Sequence, residues 1–141
     1  MKIKKLQIAS LIISLIILVS CAPTTREVLA TNSSQVKLRA IQTRVFDTTD
    51  KDKMLRTIIA TLQDLGFIVD KADNVLGAVS ATKLNMYTLR MTVSVRPRGE
   101  TQLLVRANAQ YNITAVENPE PYQQFFDALS KALFLTAQNA D

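Results

Sequence analysis

Histidine is missing from this chain altogether. That excludes an imidazole acid–base catalyst, a Ser-His-Asp or Cys-His nucleophile system and a His-ligated zinc site. Tryptophan is absent too. There is a single cysteine, so the chain has no second thiol with which to close an internal disulfide. Three glycines in the whole sequence leave little material for a phosphate-cradling loop. No GxGxxG, P-loop, HExxH or GxSxG pattern occurs. An enzyme would have to work through carboxylates, Lys, Tyr or Ser, and no pair of such groups asks for that reading. The sequence therefore implies no enzyme, no cofactor and no catalytic residues. No long apolar run is present either. The apolar stretch over residues 8–19 is too short to span a bilayer, which takes about 20 residues.

What is present at the N-terminus has the layout of a secretory signal. Lys2, Lys4 and Lys5 form a positive segment, residues 11–19 form an apolar one, and Ser20 supplies a small residue before the lone Cys21. Leu18-Val19-Ser20-Cys21 resembles the lipobox of bacterial lipoproteins. That resemblance implies cleavage after residue 20, lipidation of the Cys21 thiol and acylation of the new amine. Three acyl chains would anchor firmly, since stable attachment takes at least two membrane signals. Ala22 follows, where aspartate retains many such lipoproteins at the inner membrane of enteric-type bacteria. In a Gram-negative host the implied address is the periplasmic face of the outer membrane. Three of the 17 basic residues lie in the signal, so the remainder carries 14 against 12 acidic. Such mixed charge lacks the clustered basic face that nucleic-acid binding needs.

The chain then divides into residues 1–20 (signal), 21–37 (lipidated Cys and a polar, flexible tether) and 38–141 (one small domain). Within the domain, residues 38–46 are β-branched and read as a strand. Asp47-Thr48-Thr49-Asp50 offers helix-capping side chains. Met54, Leu55, Ile58, Ile59, Leu62 and Leu65 then repeat at helical spacing over residues 50–65, with Gly66 at the C-cap. Strands follow at 67–70 and 75–83, with a turn at Asp73-Asn74 and Gly77 weakening the second strand. Residues 87–96 alternate cleanly, and residues 103–111 continue the apolar face. Pro97-Arg98-Gly99 reads as a three-residue hairpin loop, which sets Arg96 against Glu100, Val93 against Leu103 and Met91 against Val105. Asn118-Pro119-Glu120-Pro121 opens a last helix with Tyr122, Phe125, Phe126, Leu129 and Leu133 on its inner stripe, widened by Phe134 and Leu135. The expected fold is α+β: about five antiparallel strands with two helices packed on one face, in the order β-α-β-β-β-β-α.

Three stretches carry a wider resemblance: Thr43-Arg44-Val45-Phe46-Asp47-Thr48, Leu62-Gln63-Asp64-Leu65-Gly66-Phe67-Ile68-Val69-Asp70 and Leu76-Gly77-Ala78-Val79-Ser80-Ala81. They resemble a family of small bacterial lipoproteins. The Leu-Gly-Phe corner followed by Asp73 and Gly77 is also similar to the repeated domains of the BamC lipoproteins of the outer-membrane β-barrel assembly machinery. That likeness implies a helix-grip-like fold, helices against an antiparallel sheet. It bears on fold more than on function.

Candidate sites follow from the faces. Arg90 and Arg106 fall on the polar side of adjacent strands, directly opposed in the expected register, where like charges repel. They would suit a carboxylate, a phosphate headgroup or an acidic partner. Thr92, Ser94 and Asn108, with Gln102 and Gln110, extend the same surface. Asp47, Asp50 and Asp52 lack the glycine and terminal glutamate of an EF-hand loop and suit a helix N-terminus instead. Tyr111, Tyr122, Phe125 and Phe126 would either fill the core or line an apolar pocket between sheet and helix. The functional expectation is a non-enzymatic, membrane-anchored interaction module in an envelope assembly or transport complex. The alternative is a module that binds a lipid or other apolar small molecule.

Overall fold

A computed structural model describes residues 34–85 and 87–138. Cys21, the signal segment and the tether up to residue 33 lie outside the described residues. Contacts group Gln35–Asp141 into one compact unit. In order, its elements are β1 (Thr43–Phe46), α1 (Lys51–Asp64), β2 (Ile68–Asp73), β3 (Ala78–Asn85), β4 (Tyr87–Arg98), β5 (Gln102–Tyr111), β6 (Thr114–Ala115) and α2 (Glu120–Gln138). The sheet runs β1-β5-β4-β3-β2, with β6 paired to β5, and every pairing is antiparallel. The α+β two-layer architecture is as the alternation of the sequence implies. Met91, Val93, Val95, Leu103, Val105, Ala107 and Ala109 turn one sheet face inward, against Met54, Ile58 and Leu62 of α1 and Tyr122, Phe125, Phe126 and Leu129 of α2.

Local chemistry starts and stops α1. Asp50 accepts the Lys53 N–H at 2.8 Å, an N-cap bond. At the other end Phe67 N–H bonds Leu62 C=O and Gly66 N–H bonds Gln63 C=O, both at 2.9 Å. With Gly66 at φ +82° this is a Schellman motif, and Phe67 and Leu62 meet in the core beneath it. Lys83 adds its Nζ to the half-buried Leu65 C=O at 2.8 Å. For α2, Asn118 Oδ1 accepts the Glu120 N–H at 3.0 Å.

Four features depart from the expectations. Residues 34–41 are helical, where tether and then strand were expected. Leu38 and Ile41 stand one helical turn apart, and the Gln42 N–H is spent on Leu38 C=O at 3.1 Å, so strand pairing begins only at Thr43. Val75 and Leu76 are not strand residues but lie exposed in the turn before β3. Asp73 Oδ1 accepts the Leu76 N–H at 2.9 Å and Gly77 takes φ +67°, which closes a four-residue turn rather than an Asp73-Asn74 one. β6 is a sixth strand of only two residues, too short to show a period. Phe134 and Leu135 are 63% and 48% exposed, so α2 buries one stripe and not two.

The β4–β5 hairpin is a fifth and more consequential difference. Arg98 pairs Gln102, Val95 pairs Val105 and Val93 pairs Ala107, so the loop is 99–101 and not 97–99. Each residue meets a partner four places later in β5 than the turn chemistry suggested. An even slip keeps every side chain on its own face, which is why the inward and outward sets are as expected while the pairs are not. Pro97 is tolerated inside β4 for a directional reason. Val95 N–H points to the β3 side, bonding Gly77 C=O at 2.8 Å, and alternation aims the Pro97 nitrogen the same way. There β3 has already ended, at Ala78 opposite Ser94, so the missing donor breaks no rung.

Candidate functional site

The open face of the sheet carries the polar halves of β3, β4 and β5. Those three strands contain Lys83, Arg90, Arg96, Arg98 and Arg106 and no carboxylate at all. Lys83 belongs to the helix side, where it caps α1. The four arginines share the open face with Ser80, Thr82, Thr92, Ser94, Gln102, Asn108 and Gln110, as the alternating burial of β4 and β5 requires. Among the described residues, no ion pair or side-chain hydrogen bond engages Arg90, Arg96 or Arg98. Acids border the face at both edges, and those at hydrogen-bond distance are used: Asp70 Oδ2 accepts the Thr82 hydroxyl at 2.6 Å, Asp73 holds its turn, and Asp47 Oδ1 accepts from Gln102 Nε2 at 2.6 Å.

The sequence-derived residues do share this face, but not in the arrangement expected. Arg90 lies opposite Gln110, Thr92 opposite Asn108, and Arg106 opposite Ser94. Arg90 and Arg106 are thus four residues apart in register and form no opposed pair. The residue sequence reasoning missed is Arg96, two places along β4 from Ser94 and so the diagonal neighbour of Arg106 across the ladder. Diagonal Cβ atoms sit roughly 7–8 Å apart, within reach of two guanidinium groups. The hairpin loop hid this neighbour, because it fixes the register that decides which arginines meet.

Arg106 differs from the exposed arginines. Its side chain is half-buried, its Nη2 donates to Gln42 Oε1 at 3.4 Å, and its Nε is buried with no hydrogen-bond partner. On its other flank stands Thr43 of β1. Gln42 in turn is buried and donates Nε2 to the Tyr122 hydroxyl at 3.2 Å. That hydroxyl fills a gap in the sheet edge. β1 covers β5 only over Leu103–Arg106 and β6 only at Gln110 and Tyr111. Between them Ala107 N–H bonds Gln42 C=O at 2.9 Å, and Ala109 N–H donates to the Tyr122 hydroxyl at 3.2 Å. Tyr122 then donates to Val116 C=O at 2.7 Å. A buried chain of polar contacts therefore runs from the core, through the edge gap, to the Arg106 guanidinium.

The other candidate residues serve structure. Tyr122, Phe125 and Phe126 are 0–2% exposed and fill the space between sheet and helix, the two phenyl rings edge to face at 5.1 Å. Tyr111 instead lines an end groove of about 250 Å³ with Leu65, Phe67, Lys83 and Pro121. A second groove, about 220 Å³, lies along α1 beside Ala72 and Val79. Both fall short of the ~300–1,000 Å³ usual for a small-molecule site. Asp50 caps α1, and Asp47 accepts from Gln102 Nε2 at 2.6 Å.

The sequence was compared with known proteins. No protein-family model matches it, and no curated protein matches it.

Proposed function

We propose that this chain is a non-enzymatic lipoprotein, anchored through Cys21 at the periplasmic face of the outer membrane, that presents the open face of its sheet to a partner in an envelope assembly or transport complex. The observation that carries the reading is the charge of that face. Arg90, Arg96 and Arg98 on β4 and Arg106 on β5 sit on two central strands without one carboxylate, although the described chain has acids enough to pair them. A solvated face of mixed charge needs no such segregation; a face that meets an anionic partner does. The packed aromatics between sheet and α2 weigh against the ligand-pocket alternative, which is left with small surface grooves of about 220–290 Å³ beside Tyr111, beside Ala72 and Val79, and beside Phe46 and Leu133. The likeness to BamC domains fits a role in envelope assembly and supplies no more than that.

The test is crosslinking in intact envelopes followed by mass spectrometry, with Cys21→Ser and a double Arg96→Glu, Arg106→Glu variant beside the wild type. The expected result is an acylated N-terminal peptide and a set of crosslinks from the open face that both variants lose. An unmodified Cys21 would overturn the anchor. Crosslinks that survive the double charge reversal would overturn the assignment of this face.

A further inference from the structure

We propose that Arg106 and Arg96, with the hydroxyls of Ser94 and Thr43, form a binding site for a phosphate-class oxyanion on the open face. The proposal rests on the reading of that face as a contact surface and names the chemistry of what it contacts.

Register builds the site. Ser94 opposes Arg106 on β4, Thr43 opposes it on β1, and Arg96 lies one diagonal step away. Arg106 thus stands between the two hydroxyls, on three adjacent strands, with Arg96 beside it on the Ser94 flank. The Ser94 and Thr43 hydroxyls have no hydrogen-bond partner among the described residues. No carboxylate stands on β3, β4 or β5 to take the place of an outside anion.

Arg106 supplies an independent observation, a buried donor that no described residue accepts from. A half-buried cation with a buried, unpaired Nε–H is an expensive arrangement in a resting protein. Its one side-chain contact, to Gln42, is long at 3.4 Å. Gln42 itself is held by Tyr122, so it fixes where the Arg106 stem lies without satisfying the head. A small swing of this flexible side chain toward Arg96 would exchange a weak contact for charge-assisted bonds. The donor count selects the anion. A carboxylate offers two oxygens. A phosphate group offers three or more and a larger charge, which matches two arginine forks and two hydroxyls. Arg90 and Arg98 lie farther along β4, opposite Gln110 and Gln102, and are outside the site.

Arginine Nε–H resonances of the full chain in phosphatidylcholine nanodiscs provide the test. The Nε–H of Arg106 is buried, which shields it from exchange with water. Sodium phosphate is titrated against sodium chloride at matched ionic strength. Saturable shifts of the Arg106 and Arg96 signals are expected with phosphate alone. Arg96→Gln and Arg106→Gln should each weaken the apparent affinity roughly tenfold or more, as the loss of a hydrogen bond to a charged group implies. Arg90→Gln and Arg98→Gln should change it by less than about threefold, as for exposed charges in high dielectric. Arg96 is exposed, so Arg96→Gln keeps the test valid if Arg106→Gln misfolds. A second arm uses nanodiscs containing phosphatidic acid, whose headgroup is a phosphate monoester, and no added phosphate. Shifts there assign the anion to a lipid headgroup; shifts only with dissolved phosphate assign it to a free one. A response that never saturates in either arm, or equal losses from all four arginines, means diffuse surface charge and overturns the site. A saturable site in a protein that gives no face-dependent crosslinks would instead sink the contact-surface reading and leave the site standing.

Discussion

Tyr122 binds the two layers of this protein through one oxygen. Its ring is fully buried, and its hydroxyl both receives the Ala109 N–H and donates to Val116 C=O in the gap between β1 and β6. Tyr122→Phe keeps the ring and strands two backbone groups without a partner. It should destabilise the domain by about 1–3 kcal/mol in denaturant unfolding; an unchanged midpoint would mean that water takes the hydroxyl's place. Thr61 is the opposite case. Its Oγ1 is buried with no hydrogen-bond partner, so Thr61→Val removes a desolvated hydroxyl at nearly constant volume. That change should leave stability unchanged or raise it by about 1 kcal/mol, and a clear loss would show that the hydroxyl has a partner in solution. Neither role could be read from the sequence. Tyr122 stands on a helical apolar stripe like any core aromatic, and its partner groups come from 6 and 13 residues away, set by a strand gap that no pattern announces.

The elements bounded by local chemistry were the readable ones. The ends of α1 depend on Asp50 and on Gly66 with Phe67, all within five residues of their partners, and the expected 50–65 differs from Lys51–Asp64 by one residue at each end. The turn before β3 is longer than its sequence suggested, and its glycine is closely packed. Gly77 has φ +67°, and a Cβ there would stand 2.7 Å from both Val95 O and Lys51 Cε. Lys51 is itself engaged, with Nζ on Val75 C=O at 3.1 Å. Gly77→Ala should therefore cost about 2 kcal/mol or more, from backbone strain and a clash with a main-chain oxygen. A melting curve would check it; Gly99→Ala is the control, since its Cβ meets nothing within 4 Å and only the φ of +63° is strained. A loss at Gly99 as large as at Gly77 would show that the conformation alone, and not the contact, sets the cost.

At the scale of the whole molecule, β4 is the axis. It pairs with β3 from Tyr87 to Ser94 on one side and with β5 from Leu89 to Arg98 on the other, while β2 closes one edge and the short β1 and β6 share the other. Native-state hydrogen exchange should find the slowest amides at Met91, Val93, Val95 and Arg106, whose N–H groups lie between central strands, and faster ones in β1, β2 and β6. Slowest exchange in β2 would contradict this layout. By itself the sequence determined the α+β class, the inward and outward faces of the strands, the caps of α1 and the likeness of Leu18-Val19-Ser20-Cys21 to a lipobox, because each depends on residues near one another in the chain. Only the tertiary structure decided which residues oppose one another. Alternation has a period of two, so any even slip of β5 along β4 buries the same side chains at nearly the same energy. The choice among those registers belongs to the 99–101 loop, to Pro97 finding the side where β3 has ended, and to β1 and β6 seating on the outer edge of β5. That choice moved Arg106 away from Arg90 and placed it between Ser94 and Thr43, beside Arg96.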